Sequence, residues 1–151
     1  YVVLGSGEWQ YESFFRELHN KYPDKVGVTI GFIPELARKI YAGADMFLMP
    51  SKSEPCGLSQ MVSLRYGTVP IVRETGGLKD SITDCGDGEG NGFTFKTYDA
   101  YDMLGAIYRG VEAYGDKSNW DILVKRALDC DMSWGKSANE YIKMYKALIK
   151  E

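Results

Sequence analysis

Short apolar runs punctuate the chain at Tyr1–Gly5, Val26–Phe32, Met46–Pro50, Val69–Val72 and Gly92–Phe95. Each is too short for a stable helix, and together they are rich in Val, Ile and Phe, as strands buried on both faces are. Helical spacing fills the stretches between them. Phe14, Phe15, Leu18 and Tyr22 share one face of a first helix, which Pro23 ends. Leu36, Ile40 and Tyr41 mark a second, with Pro34 in its first turn. Leu58, Met61, Val62 and Leu64 mark a third, closed by Gly67. Asp99 is placed to cap a fourth that carries Met103, Ile107, Val111 and Tyr114. Asn119 and Ser133 are candidate caps for two more. The Gly- and Asp-rich segment Asp84–Asn91 reads as a surface loop.

This alternation predicts an α/β fold: a Rossmann-like, doubly wound parallel sheet followed by a helical C-terminal third. No internal repeat or linker interrupts it, so residues 1–151 read as one domain. In open α/β sheets ligands sit beyond the carboxyl ends of the strands. That rule selects Gly5–Trp9, Gly31–Pro34, Ser51–Ser59, Arg73–Leu78 and Lys96–Asp99 for attention.

Composition narrows the partners. The chain has 151 residues, 44% hydrophobic and 26% charged, with net charge −3. That balance gives no basis for binding nucleic acid or an anionic membrane surface, and no run is apolar enough to span a bilayer. Cys56, Cys85 and Cys130 are odd in number and widely spaced, which gives neither a disulfide framework nor a zinc motif. A reducing compartment is expected, with no metal and no cofactor. The apolar opening at Tyr1, without an initiator Met, reads as a strand of a fragment whose upstream partner lies outside it.

The sharpest segment is Ser51-Lys52-Ser53-Glu54-Pro55-Cys56-Gly57-Leu58-Ser59-Gln60, which follows a strand and opens a helix. Unpaired N–H groups and a partial positive charge at a helix N-terminus suit phosphate oxygens and sugar hydroxyls. Gly57 allows close approach to the backbone, Ser59 adds a hydroxyl, and Glu54 can accept from a sugar hydroxyl. The residues alone leave a second reading open, in which Ser53 or Glu54 merely caps the helix. Gly5-Ser6-Gly7-Glu8-Trp9-Gln10 begins like a dinucleotide fingerprint, but Gln10 stands where the third glycine belongs. A loop lining a nucleotide pocket is expected there, and a nicotinamide site is not. Thr75-Gly76-Gly77 permits a tight turn against a ligand or an ordinary strand-to-helix connection. His19 reads as a surface residue, and Lys52 and Lys79 as solvated. Cys56 reads as a packing residue that lends its N–H. Tyr98, Tyr101, Tyr108 and Trp120 read as core at helical spacing, and Ser133-Trp134 as a cap plus an anchor for the last helix.

Taken with Tyr66-Gly67-Thr68, Thr75-Gly76-Gly77-Leu78, Gly31-Phe32, Ala44-Asp45 and Ser133-Trp134, the block from Ser51 to Leu58 resembles the bacterial glycogen synthase and plant starch synthase family across essentially the whole chain. Related retaining transferases of the GT-B fold usually carry another aromatic residue where Cys56 stands, and a second glutamate where Val62 stands. The resemblance implies the C-terminal, donor-binding domain of a GT-B hexosyltransferase, lacking its first strand–helix unit. It implies retaining transfer of glucose from ADP-glucose to the non-reducing 4-hydroxyl of an α-1,4-glucan, the acceptor being held by an N-terminal domain absent here. Glu54 would be the catalytic-site carboxylate that accepts from the donor's 3-hydroxyl. Cys56 and Gly57 N–H groups would face the sugar hydroxyls, and Leu58 and Ser59 the diphosphate. Gly5, Gly7, Gly31 and Phe32 would line the nucleotide pocket, with Phe32 as a stacking face, and Thr75, Gly76 and Gly77 the cleft loop. The Arg and Lys that complete the family's phosphate site would precede Tyr1, so the fragment alone is expected to be inactive. A doubly wound sheet without its first, central strand leaves its 3-2 pair separated from strands 4-5-6 with two bare edges, a gap expected either to close by re-pairing or to belong to a longer chain. The family is cytoplasmic in bacteria and plastidic in plants. A sucrose- or trehalose-phosphate-type transferase, or a non-catalytic nucleotide-sugar or glucan-binding module, are the alternatives. A phosphorylase would need a pyridoxal phosphate lysine in context, and none is found.

Overall fold

The computed structural model describes residues 1–149, and the chain divides into compact units at Tyr1–Ala44 and Asp45–Glu151. In the first unit, strands β1 (Val2–Gly5) and β2 (Gly27–Ile30) pair in parallel, Val2 opposite Gly27 and Gly5 opposite Ile30. Helix α1 (Trp9–Lys21) connects them and α2 (Pro34–Gly43) follows, with Pro34 in its first turn. The Tyr22 N–H returns to the Leu18 and His19 carbonyls, ending α1 just before Pro23. His19 is not a surface residue. It is half-buried, and its Nδ1 donates to the Val26 carbonyl oxygen at 2.6 Å, tying the end of α1 to the start of β2. Val26 is the one hydrophobic side chain of this unit that is fully buried among the described residues, while Trp9, Phe14 and Phe32 stand exposed.

The second unit carries a parallel sheet of order β3-β4-β5, formed by Met46–Met49, Val69–Arg73 and Phe93–Phe95. Helices α3 (Ser59–Tyr66) and α4 (Gly76–Ser81) connect and follow its strands, and α5 (Ala100–Gly115), α6 (Lys117–Asp129) and α7 (Trp134–Ile149) complete the unit. The centre strand β4 is almost wholly buried and alternates between two layers, as strand geometry requires. Val69 and Ile71 pack with Phe93, Phe95, Ala106, Trp120 and Leu123 on one face. Val72 packs with Leu64, Leu78, Ile82 and Ala127 on the other. α3 stops where Gly67 takes the left-handed conformation, φ 76°, and its N–H meets the Leu64 and Ser63 carbonyls. The predicted strands, the helical C-terminal third and the two-plus-three partition of the sheet are all present.

Several local expectations are corrected. α6 is capped by Asp116, whose carboxylate accepts from the Asn119 N–H at 3.2 Å, so Asn119 lies inside the first turn. Tyr98, Tyr101 and Tyr108 are exposed and only Trp120 of that group is core. The cause is that α5 turns its small residues inward. Ala106 and Gly110 are buried, Met103 and Ile107 pack against the same core as expected, and a Cβ at Gly110 would lie 3.1 Å from the Met46 sulfur, so the approach there is close. Val111 is exposed, and Tyr114, about half exposed, sets its ring edge-to-face with buried Trp120, centroids 5.2 Å apart. Trp134 is 87% exposed rather than packed on this unit, and no residue of α7 is buried among the described residues. Asp99 does cap α5, accepting from the Tyr101 and Asp102 N–H groups. Asp84–Asn91 is more than a surface loop: it holds a turn of 3₁₀ helix at Cys85–Asp87 and a parallel bridge between Asp84 and Gly92. Among the described residues no helix is long and apolar enough to cross a membrane.

Candidate functional site

The loop from β3 to α3 and the turn from β4 to α4 meet at the carboxyl end of the three-stranded sheet. Gly77 N–H donates to the carbonyls of Glu54 at 3.2 Å and Pro55 at 3.3 Å. The approach is so close that a Cβ on Gly76 would overlap the Glu54 carbonyl oxygen, and one on Gly77 the Cys56 carbonyl group. Gly76 also has φ 44°, a conformation natural to glycine. The unit therefore brings Glu54, Cys56, Gly57, Leu58, Ser59, Thr75, Gly76 and Gly77 together.

α3 begins at Ser59, with Leu58 in the cap position and no side-chain cap. Neither Ser53 nor Glu54 caps it, which removes the capping reading of that motif. Among the described residues, no hydrogen bond from the backbone N–H groups of Cys56 through Met61 to a protein acceptor is present, the first such bond being Val62 N–H to the Leu58 carbonyl at 2.9 Å. Cys56 and Leu58 are exposed on this run, whereas Gly57 and Gln60 are buried. The half-buried Glu54 makes no side-chain hydrogen bond or ion pair among the described residues. A set of open donors beside an uncommitted carboxylate can hold an anion and a polyhydroxylated group together.

Two residues in the quoted motifs have structural roles that the sequence did not assign. Arg73, at the end of β4, donates from Nε to the Ser51 carbonyl at 2.8 Å and from a terminal nitrogen to the Lys52 carbonyl. Its other terminal nitrogen reaches the Lys96 carbonyl at 3.5 Å, and Tyr98 lies under the guanidinium. One side chain thus joins the loops that follow all three strands. Gln60, fully buried in α3, donates from Nε2 to the carbonyls of Cys56 and Gly57 and to the Ser81 hydroxyl. A carbonyl-seeking Arg and a buried Gln leave no spacing signature, so nothing in the pattern pointed to them.

Asp84 was also missed. It accepts from Arg109 at 2.7 Å, from the Thr94 N–H at 2.7 Å and from the Gly86 N–H at 2.9 Å. Burial pushes its carboxyl up, but the Arg109 guanidinium and the two backbone donors outweigh that and hold it below the ordinary carboxylate range. Arg109 is raised in turn by its bond to Asp84. In the first unit, Gly5 and Gly7 follow β1 and Gly31 and Phe32 follow β2, with Gly31 at φ 144° and Phe32 90% exposed. The second glycine of the partial fingerprint has its N–H on the Glu12 carboxylate, 3.0 Å away.

Parallel strands whose carboxyl-end loops are stitched around open N–H groups form an α/β domain able to hold an anionic ligand beyond its sheet. Residues 1–120 match the family described as Glycosyl transferases group 1, and the chain belongs to that family. It is 54% identical over 151 residues to a glycogen synthase of Bacillus cereus (strain ATCC 10987 / NRS 248), an alignment covering 99% of this chain and 32% of that protein. The chain therefore spans about a third of the length of such relatives. Among solved structures, the catalytic domain of starch synthase IV from Arabidopsis thaliana bound to ADP and acarbose aligns at TM-score 0.86 and 35% identity. That alignment covers 99% of this chain and 32% of the other. A sucrose-phosphate synthase from Thermosynechococcus elongatus aligns at TM-score 0.68, 22% identity, 99% of this chain and 38% of that one, a likeness of fold alone.

Proposed function

We propose that the chain is the donor-binding part of a retaining glucosyltransferase that moves glucose from ADP-glucose to the non-reducing 4-hydroxyl of an α-1,4-glucan. The observation that carries this reading is the run of backbone N–H groups from Cys56 to Met61 that have no protein acceptor among the described residues, beside an uncommitted Glu54. The likeness to a glycogen synthase and to an ADP-bound starch synthase supports the choice of donor and acceptor. Glu54 accepts from the donor's 3-hydroxyl, and the Cys56 and Gly57 N–H groups meet its 3- and 4-hydroxyls. Leu58 and Ser59 take the diphosphate, whose developing charge in the transition state the helix N-terminus stabilises in part. Thr75, Gly76 and Gly77 form the cleft loop, Gly5, Gly7 and Gly31 line the nucleotide pocket, and Phe32 stacks on the base. The likeness to a Bacillus cereus protein supports a bacterial, cytoplasmic parent.

Because the chain spans about a third of the length of the glycogen synthase it resembles, transfer itself is expected of the longer protein rather than of these residues alone. Two outcomes follow. Titration by calorimetry should rank ADP above UDP and NAD, with weak binding even for ADP. Tightest binding of NAD would overturn the reading, and tightest binding of UDP would move it to another transferase. In an isotope-incorporation assay with ADP-glucose and glycogen, the chain alone should transfer no glucose, and turnover would refute that expectation.

A further inference from the structure

The donor array does not orient itself. Gln60 Nε2 lies 3.1 Å from the Cys56 carbonyl oxygen and 2.8 Å from that of Gly57. In a trans peptide the C=O and the following N–H point in opposite directions. A donor that draws both carbonyls inward therefore turns the N–H groups of Gly57 and Leu58 outward. Their backbones reinforce this: Gly57 is left-handed at φ 72° and Leu58 right-handed at φ −100°, ψ −31°. Successive residues of opposite hand form a nest, a concavity in which neighbouring N–H groups converge on an anion.

Gln60 is itself held from behind. Its Nε2 also reaches the Ser81 hydroxyl at 3.1 Å, and Ser81 donates to the Gly77 carbonyl at 2.6 Å. Three acceptors surround Nε2, whereas Oε1 is buried and has no partner among the described residues. A buried acceptor without a donor is costly, and an apolar side chain of similar size would avoid that cost. Oε1 lies 2.5 Å from where a Gly57 Cβ would stand, so the amide closes against the underside of the nest and admits only glycine there. The side chain spends stability on a geometry that packing alone does not require.

We infer that Gln60 is the positioning residue of the diphosphate site, whose amide, braced by Ser81, holds the Cys56–Gly57 and Gly57–Leu58 peptides with their N–H groups aimed at the ligand. This rests on the donor-binding reading above. Gln60 touches no ligand itself.

The test is amide and carbonyl NMR on this chain with ADP as the probe, comparing the native sequence with Gln60→Met, Gln60→Glu and Ser81→Ala. Gln60→Met removes the donor with little change in volume. Gln60→Glu keeps the shape but sets an oxygen against both carbonyls. Gln60→Met should unfold within a few degrees of the native chain and Gln60→Glu well below it, since its buried carboxylate has no partner, while in both the carbonyl ¹³C shifts of Cys56 and Gly57 move together in the unliganded state. ADP should perturb the Gly57, Leu58 and Ser59 amides of the native chain, and bind at least tenfold more weakly to both variants. Ser81→Ala, which does not touch the loop, should weaken ADP by a smaller factor. If native amides respond to ADP and either Gln60 variant binds it equally well, Gln60 does not position the site and the donor reading stands. If the native amides at Gly57 to Ser59 do not respond, the donor reading itself falls and the role of Gln60 with it.

Discussion

Gly77→Ala should destabilise the chain by about 3 kcal/mol, the upper part of the range for overpacking a closed site, and abolish ADP binding. A Cβ at this position would overlap the Cys56 carbonyl group and lie 2.6 Å from the Cys56 Cα. These are backbone atoms, so no rotamer change relieves the contact. Either the turn before α4 or the loop before α3 must move, and each movement breaks the Gly77 N–H bonds to the Glu54 and Pro55 carbonyls. The nest at Gly57 is adjacent in the chain to the displaced Cys56, so its alignment goes too. Gly105→Ala is the control. It lies within α5 with nothing within 4 Å of its Cβ position, so it should stabilise the chain by up to about 1 kcal/mol through helix propensity and leave ADP binding unchanged. Thermal unfolding and calorimetric titration of both variants decide it. A Gly77→Ala chain that unfolds and binds like the native one would show that the close approach is not needed.

The contrast between those glycines marks where sequence reading succeeds. Strands and helices with strong periodicity were legible: Val69–Val72 as a buried strand, Gly67 as a helix stop and Asp99 as a cap all appear as expected. Positions where two segments meet were not. The order of residues places Gly76-Gly77 after a strand, but not against Glu54 and Cys56, because that contact joins two βα loops across neighbouring strands. α5 misled for a related reason. Of its expected stripe, Met103 and Ile107 pack on the core but Val111 and Tyr114 are not buried, and the sheet is met most closely at Ala106 and Gly110, where helix and strand can approach. In the candidate site, the residues that would touch ligand were legible as a motif. Arg73, Gln60 and Ser81, which hold that motif in shape through carbonyl and hydroxyl contacts, carry no spacing signal.

Asp84→Asn should lower the stability of the chain by about 2 kcal/mol, the cost expected for charge-assisted hydrogen bonds, and depress its unfolding temperature by roughly 4–8 °C. The carboxylate joins three pieces of chain. It takes the Arg109 guanidinium from α5, the Thr94 N–H from β5 and the Gly86 N–H from its own turn. Arg109 extends the link by donating to the Thr94 carbonyl at 2.6 Å. An amide in place of the carboxylate loses the charge and sets an NH₂ donor against one of these donors. The pH dependence has a definite sign. The carboxyl of Asp84 is held below its ordinary range in the folded chain, so the folded state binds its proton less readily than the unfolded state does. Its contribution is complete above the unfolded value, near pH 4, and is lost as pH falls through the lower folded value. The native chain should therefore lose stability steeply below about pH 4, and Asp84→Asn should show a shallower slope there while remaining weaker at neutral pH. Asp102, lowered by the Thr97 hydroxyl and backbone donors, keeps part of the acid sensitivity in the variant. Arg109→Met should remove most of the same coupling. A double variant no less stable than the weaker single one would attribute the loss to the pair, whereas strictly additive losses or an unchanged acid slope in Asp84→Asn would show that the link between α5 and β5 does not run through this carboxylate.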